Sequence, residues 1–271
     1  MATASPARPH CPDYVGIDEA RAAAGMRLAT TRGVPGPWGE AAKGILYVKR
    51  LSYLRVAQEA GEPNEELRSW TGVDSAPIMV WNDEPAVFGW SDILLLAERV
   101  APEPPLIPTQ ESQRVAMFGL LHELCGEDGF GWNRRLVHFA QARAAVAAAG
   151  TAGLDGIQFD RLLRKYPVRH DIAHGRARLI AILKFQSDLL RAQRAAGSRY
   201  YFGGRLSAAD IYAACFTAMI RPLPLRYCDM APELIESYTQ TDPEILAAAD
   251  PLLLEHRDFI YEHHLELPLR L

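Results

Sequence analysis

The chain has 271 residues, enough for one large domain or two of ordinary size. Its 49% hydrophobic and 23% charged residues are ordinary for a globular protein, and a net charge of -4 argues against nucleic acid or an anionic membrane as the main partner. No stretch approaches the roughly 18 consecutive apolar residues of a membrane span, the N-terminus lacks an apolar signal core, and the 4 cysteines show no metal-ligand rhythm. The expectation is a reduced, cytoplasmic protein without a metal.

Residues 1–24 are Ala- and Pro-rich at their start and read as an irregular arm. Met26 to Thr31 reads as a strand and Pro37 to Arg50 as a helix. Tyr53 to Gln58 is a second strand, and Asn64 to Thr71 is a short helix with a capping Asn. Ile78 to Trp81 and Ala86 to Phe88 are two strands joined by the turn Asn82-Asp83-Glu84-Pro85. Ser91 to Val100 is a helix with Ser91 as a natural N-cap. The proline-rich connector 103–110 divides this β-α-β-α-β-β-α unit, residues 25–102, from the helical remainder, residues 111–271.

The helices of that remainder run over Ser112–Glu127, Asn133–Ala149, Gly156–Lys165, Asp171–Ala196 and Ser207–Ile220, with shorter pieces to Leu271. Ser207 and Asp210 have capping-box spacing, and the run from Ile211 to Ile220 is apolar nearly all round, as in a buried helix. His170 and His174 stand one helical turn apart, and helix-start histidines explain them better than a metal site.

The order of elements, the capped helix at Ser207 and the Ser75-Ala76-Pro77 motif before Ile78 together resemble the glutathione transferase superfamily. The resemblance covers about Met26 to Leu271. It implies a thioredoxin-like α/β N-terminal domain followed by an all-α C-terminal domain, and a cis peptide before Pro77. It also implies that Ala76 and Pro77 bind the peptide of glutathione as co-substrate, with a hydrophobic electrophile held between the domains in a homodimer.

The family's thiol-activating Tyr, Ser or Cys has no counterpart here, since none of the three occurs between Met26 and Lys43. Thr31 offers a hydroxyl, Arg32 a charge and Trp38 an indole N–H as local substitutes. The family's acid-serine pair falls on Gly89-Trp90, or on Trp90-Ser91 with a one-residue slip, so Trp90 and Ser91 are the candidates for that thiol-binding position. Phe118 and His122, four apart on one helix face, are the candidates for the hydrophobic substrate. The expected function is a transferase joining a thiol to an apolar electrophile. The alternatives are a non-catalytic ligand-binding or interaction protein on the same scaffold, or an enzyme using another thiol or a specialised substrate.

Overall fold

A computed structural model describes residues 10–149 and 171–271. The helix expected over 156–165 and His170 therefore lie outside the described residues. The first part comprises β1 (Tyr14–Val15), α1 (Ile17–Ala22), β2 (Met26–Thr31), α2 (Pro37–Val48), β3 (Tyr53–Gln58), α3 (Glu65–Thr71), β4 (Ile78–Trp81) and α4 (Trp90–Val100). The second is helical: α5 (Glu111–Cys125), α6 (Phe130–Ala149), α7 (Ile172–Ala195), α8 (Ala208–Thr217), α9 (Pro232–Tyr238), α10 (Pro243–Ala248) and α11 (Pro251–His264). This is a thioredoxin-like unit followed by an all-helical one.

The sheet order is β1-β3-β2-β4. β2 runs parallel to β3, with Met26 opposite Tyr53, and antiparallel to β4, with Met26 opposite Trp81. Both faces of β2 are covered, so its residues are buried almost without interruption. Met26 and Leu28 pack with Ala42, Leu46, Ile93 and Leu96 on one side, while Ala29 packs with Ala20, Val56 and Leu67 on the other. α2 and α4 each use a second apolar stripe. Ala41, Ile45, Leu94 and Ala97 join the large core shared with the helical part. All ten residues of α8 are buried in that core. Gly44 lets α2 approach it closely, because a Cβ there would lie 3.1 Å from Ile211 and 3.0 Å from Leu265.

Four local expectations are corrected. The arm is not irregular to residue 24, since β1 pairs in parallel with β3 and α1 follows it. Cys11 is buried, and its N–H donates to both carboxylate oxygens of Glu266, at 3.0 and 2.9 Å. These partners lie far along the chain, so local pattern could not reveal them. Ala86 to Phe88 shrinks to a single antiparallel bridge between Met79 and Val87, because Pro85 has no N–H to donate and Gly89 already opens α4.

Asn64 caps no amide of α3. It adopts a left-handed conformation (φ 49°) and its side chain instead ties Glu59 and Glu62 into the preceding loop. Nor does Ser91 cap α4, because Gly89 is the N-cap and Trp90 is already helical. The capping box at Ser207 and Asp210 does form.

The connector is fastened by buried polar groups. Lys49 Nζ contacts the Glu98 carboxylate at 2.6 Å and donates to the carbonyls of Ala101 (2.7 Å) and Pro104 (3.1 Å). Glu98 accepts from the Leu106 N–H, and the Leu106 carbonyl accepts from the first amide of α8. Among the described residues no helix is long and apolar enough to cross a membrane, and no group of three His, Cys, Asp or Glu gathers as a metal site. The cysteines Cys11, Cys125, Cys215 and Cys228 are free and buried.

Candidate active-site cleft

A cleft of about 650 Å³ opens between the carboxyl ends of β2 and β3 and the surface formed by α6 and α9. On the sheet side it is walled by Thr30, Thr31, Gln58, Ala76 and the first turn of α2. The Ala76-Pro77 peptide is cis. The β2–β4 ladder ends at Ala29 opposite Ile78, which leaves the backbone of Ala76 beyond the ladder on the cleft wall.

α2 starts with Gly36 as N-cap and Pro37 at its first turn, and no side chain caps it. Glu40 is the first residue whose N–H bonds back along the chain, to Gly36 at 2.9 Å. Trp38 and Gly39, also on the wall, precede it, so the positive end of a twelve-residue helix faces the cleft.

The opposite wall is polar at its centre. Arg134 is buried in α6, and its guanidinium donates to the carbonyls of Met219 (3.0 Å) and Ser237 (3.1 Å). This satisfies a carbonyl at the end of α9 and ties that helix to α6. Burial lowers the Arg134 guanidinium to about 10, which leaves it charged at neutral pH. One turn on, His138 Nε2 lies 3.1 Å from Ser237 Oγ, and both residues line the cleft. Burial first, and then the Arg134 charge, lower the His138 imidazole to about 4, so it is neutral at pH 7.

A histidine whose folded value lies below its unfolded value binds its proton more readily in the unfolded chain. Its contribution is therefore complete above the unfolded value of about 6.5 and is lost as pH falls toward 4. Urea midpoints measured from pH 7 to pH 4.5 should fall by the equivalent of roughly 1–2 kcal/mol after allowance for solvent in the cleft. His138→Phe should flatten that part of the profile. An identical slope in the variant would assign the pH dependence elsewhere.

The sequence candidates separate into those on the cleft and those away from it. Thr31 lines the cleft, but its hydroxyl donates to Gln58 Oε1 at 2.7 Å. Trp38 is on the wall too, yet its indole N–H is committed to the Cys125 carbonyl at 3.1 Å and is not offered to a thiol. Its ring meets Phe216 edge-on at 4.8 Å, and Arg135 lies over both Trp38 and Trp132. Gly131 admits this packing, since a Cβ there would be 2.4 Å from the Trp38 ring. Arg32 is half exposed, pairs with Glu59 at 2.8 Å and lies over the Tyr14 ring, away from the cleft wall.

Ala76 lines the cleft. Trp90 and Ser91 are not on the cleft wall. The Trp90 ring packs on Phe118 and Tyr212, and its carbonyl accepts from the Tyr212 hydroxyl at 3.1 Å. Phe118 is held between Trp90 and Arg114, and His122 is exposed, so α6 rather than α5 supplies the helical wall. His174 bonds Asp128 at 2.8 Å.

Sequence reasoning missed Arg134, His138 and Ser237. The first two are four apart on one helix face, a spacing visible in the chain. Ser237 lies 99 residues beyond His138 and carried no signal. None of the four cysteines lines the cleft and all are buried; burial pushes the Cys125 thiol up and raises Cys215 to about 12.

By sequence, the chain matches no family model and no curated protein. By structure, it resembles a glutathione S-transferase from Methylobacterium radiotolerans in complex with glutathione sulfonate, with TM-score 0.56 and 19% identity over 88% of this chain and 91% of that one. It likewise resembles glutathione transferase Omega 3C from Trametes versicolor, with TM-score 0.55 and 14% identity over 91% of this chain and 89% of the other. A third likeness is to a glutathione transferase family member from Pseudomonas fluorescens with two glutathione bound, with TM-score 0.53 and 16% identity over 89% and 97% of the two chains. The chain has the glutathione transferase fold.

Proposed function

We propose that this glutathione transferase-fold protein, with domains over 25–102 and 111–271, is a cytoplasmic enzyme that binds glutathione as a thiol co-substrate and transfers it to a hydrophobic electrophile. The observation that carries this reading is the cleft itself: the Ala76 backbone before a cis-proline and the uncapped start of α2 share one wall. An extended thiol peptide laid along Ala76 adds its main-chain groups to an edge the ladder leaves free. Its sulfur then meets the positive end of α2, which favours the thiolate.

Across the cleft, Phe139, Met219 and Leu234 give an apolar surface for the electrophile. In the reaction, the thiol's proton passes to water and a carbon–sulfur bond forms. Either the electrophile's leaving group departs with its bonding pair, or the π pair of its polarised double bond shifts to the far atom, which takes a proton from water. The protein contributes orientation and ionisation.

Calorimetric titration with glutathione tests the first half of this reading. Saturable heat at millimolar ligand or below is expected, and its absence would sink the glutathione assignment. Turnover against a panel of electrophiles tests the second half. A specific observation favours the non-catalytic alternative on this count: Trp90, at the position of the family's acid-serine pair, is turned into packing. Binding without turnover would select it. We further propose a homodimer, supported by the exposed apolar residues Phe88 and Leu95 on the first domain and Val115 on α5.

A further inference from the structure

We propose that Ser237, oriented by His138, supplies the hydroxyl that holds the ionised thiol in this cleft, reaching it from the helical side. The proposal rests on the thiol reading above. It answers a specific gap, since no Tyr, Ser or Cys stands between Met26 and Lys43, and the Thr31 hydroxyl is given to Gln58.

Among the groups that line the cleft, Ser237 has a hydroxyl whose position is fixed from two directions. Arg134 grips its carbonyl at 3.1 Å, and His138 Nε2 lies 3.1 Å from its Oγ. A thiolate needs a donor, and the pair provides one in a particular tautomer. With the proton on Nε2, His138 donates to Ser237 Oγ, and the serine's own O–H is free to turn into the cleft. A neutral imidazole allows this, whereas an imidazolium would bring a second charge beside Arg134. Burial keeps His138 neutral across the working range.

The other titratable groups on these walls are Glu40, Glu62, Asp74, Arg134, Arg135 and Tyr238. Glu40 is tied to Lys43 at 2.9 Å, and Arg134 adds a positive field behind the serine. Met219 and Leu234 reduce the local dielectric, which strengthens a hydrogen bond to a charged sulfur. No covalent step falls on the pair. The thiol's proton leaves to solvent, Ser237 and His138 keep theirs, and His138 is a positioning residue acting through Ser237.

The test is the titration of glutathione bound to the full chain, followed by thiolate ultraviolet absorbance. Ser237→Ala should raise the bound thiol's pKa by about 1–2 pH units, the size of one hydrogen bond to a charged group. Its affinity for S-methylglutathione, which has no ionisable thiol, should be unchanged. Ser237→Thr should restore the wild-type titration. His138→Phe should give part of the shift, and His138→Gln, which keeps an N–H donor, less of it. A wild-type titration in Ser237→Ala, or in His138→Phe where the alanine variant does not fold, overturns the proposal. So does an equal loss of S-methylglutathione affinity, which would make Ser237 a contact for the peptide rather than for the sulfur. Absence of glutathione binding to the wild-type chain would instead remove the thiol reading, and this assignment with it.

Discussion

Asp210→Ala is expected to lower the free energy of unfolding by about 3–5 kcal/mol, because it leaves several buried donors without their acceptor. The carboxylate is fully buried at the start of α8. Its Oδ2 accepts from the Ser207 N–H and hydroxyl, each at 2.8 Å, and its Oδ1 accepts from the Tyr201 N–H at 2.8 Å. His256 of α11 lies 3.0 Å from Oδ1 and is itself buried. One side chain thus answers the entry loop, the cap of α8 and a second helix, α11. Alanine leaves the Ser207 and Tyr201 amides unpaired away from water, and His256 without a partner.

Urea unfolding should show a lower midpoint with an unchanged slope. Asp210→Asn should lose roughly half as much, because it keeps one acceptor but points a donor at another donor. Combining Asp210→Ala with His256→Phe should cost less than the sum of the two, since they share one network. An unchanged midpoint in Asp210→Ala would mean that apolar burial alone fixes α8.

Lys49→Met is expected to cost about 3 kcal/mol and to loosen the connector between the two parts of the chain. The methionine keeps the apolar stem of the lysine, so the effect isolates the ammonium. The Lys49 head is fully buried, and three groups lean on it: Glu98, the Ala101 carbonyl and the Pro104 carbonyl. Glu98 in turn orders Leu106, whose carbonyl takes the first N–H of α8. Losing the ammonium therefore releases a chain of bonds from α2 to α8. Limited proteolysis should show new cleavage within Ala101 to Pro108, together with the lower urea midpoint. A connector as resistant as wild type would show that its prolines and the packing of Leu106 and Ile107 suffice.

The strands Met26–Thr31, Tyr53–Gln58 and Ile78–Trp81, and the capped helix after Ser207, were legible in the chain because each is defined by near-neighbour chemistry. Alternation, turn residues and cap spacing act over a few residues. Ala76 before Pro77 was singled out through the family resemblance, and it lies on the cleft wall. β1 was not, since a two-residue strand exists only by pairing with β3, about 40 residues away. Trp90, Ser91, Phe118 and His122 were placed on the site by resemblance; none of the four lines the cleft described above, and Trp90 and Phe118 pack against each other. The size of the Trp90 ring takes it into contact with Phe118 and Tyr212.

By itself, then, the sequence determined the two-part order of strands and helices and the buried central helix, because these follow from periodicity and caps. Only the tertiary structure decided the helical wall of the cleft. Arg134, His138 and Ser237 are ordinary surface-type residues until α6 and α9 are brought together. Their burial and their shared hydrogen bonds are then what give a neutral histidine, a charged arginine and a fixed hydroxyl.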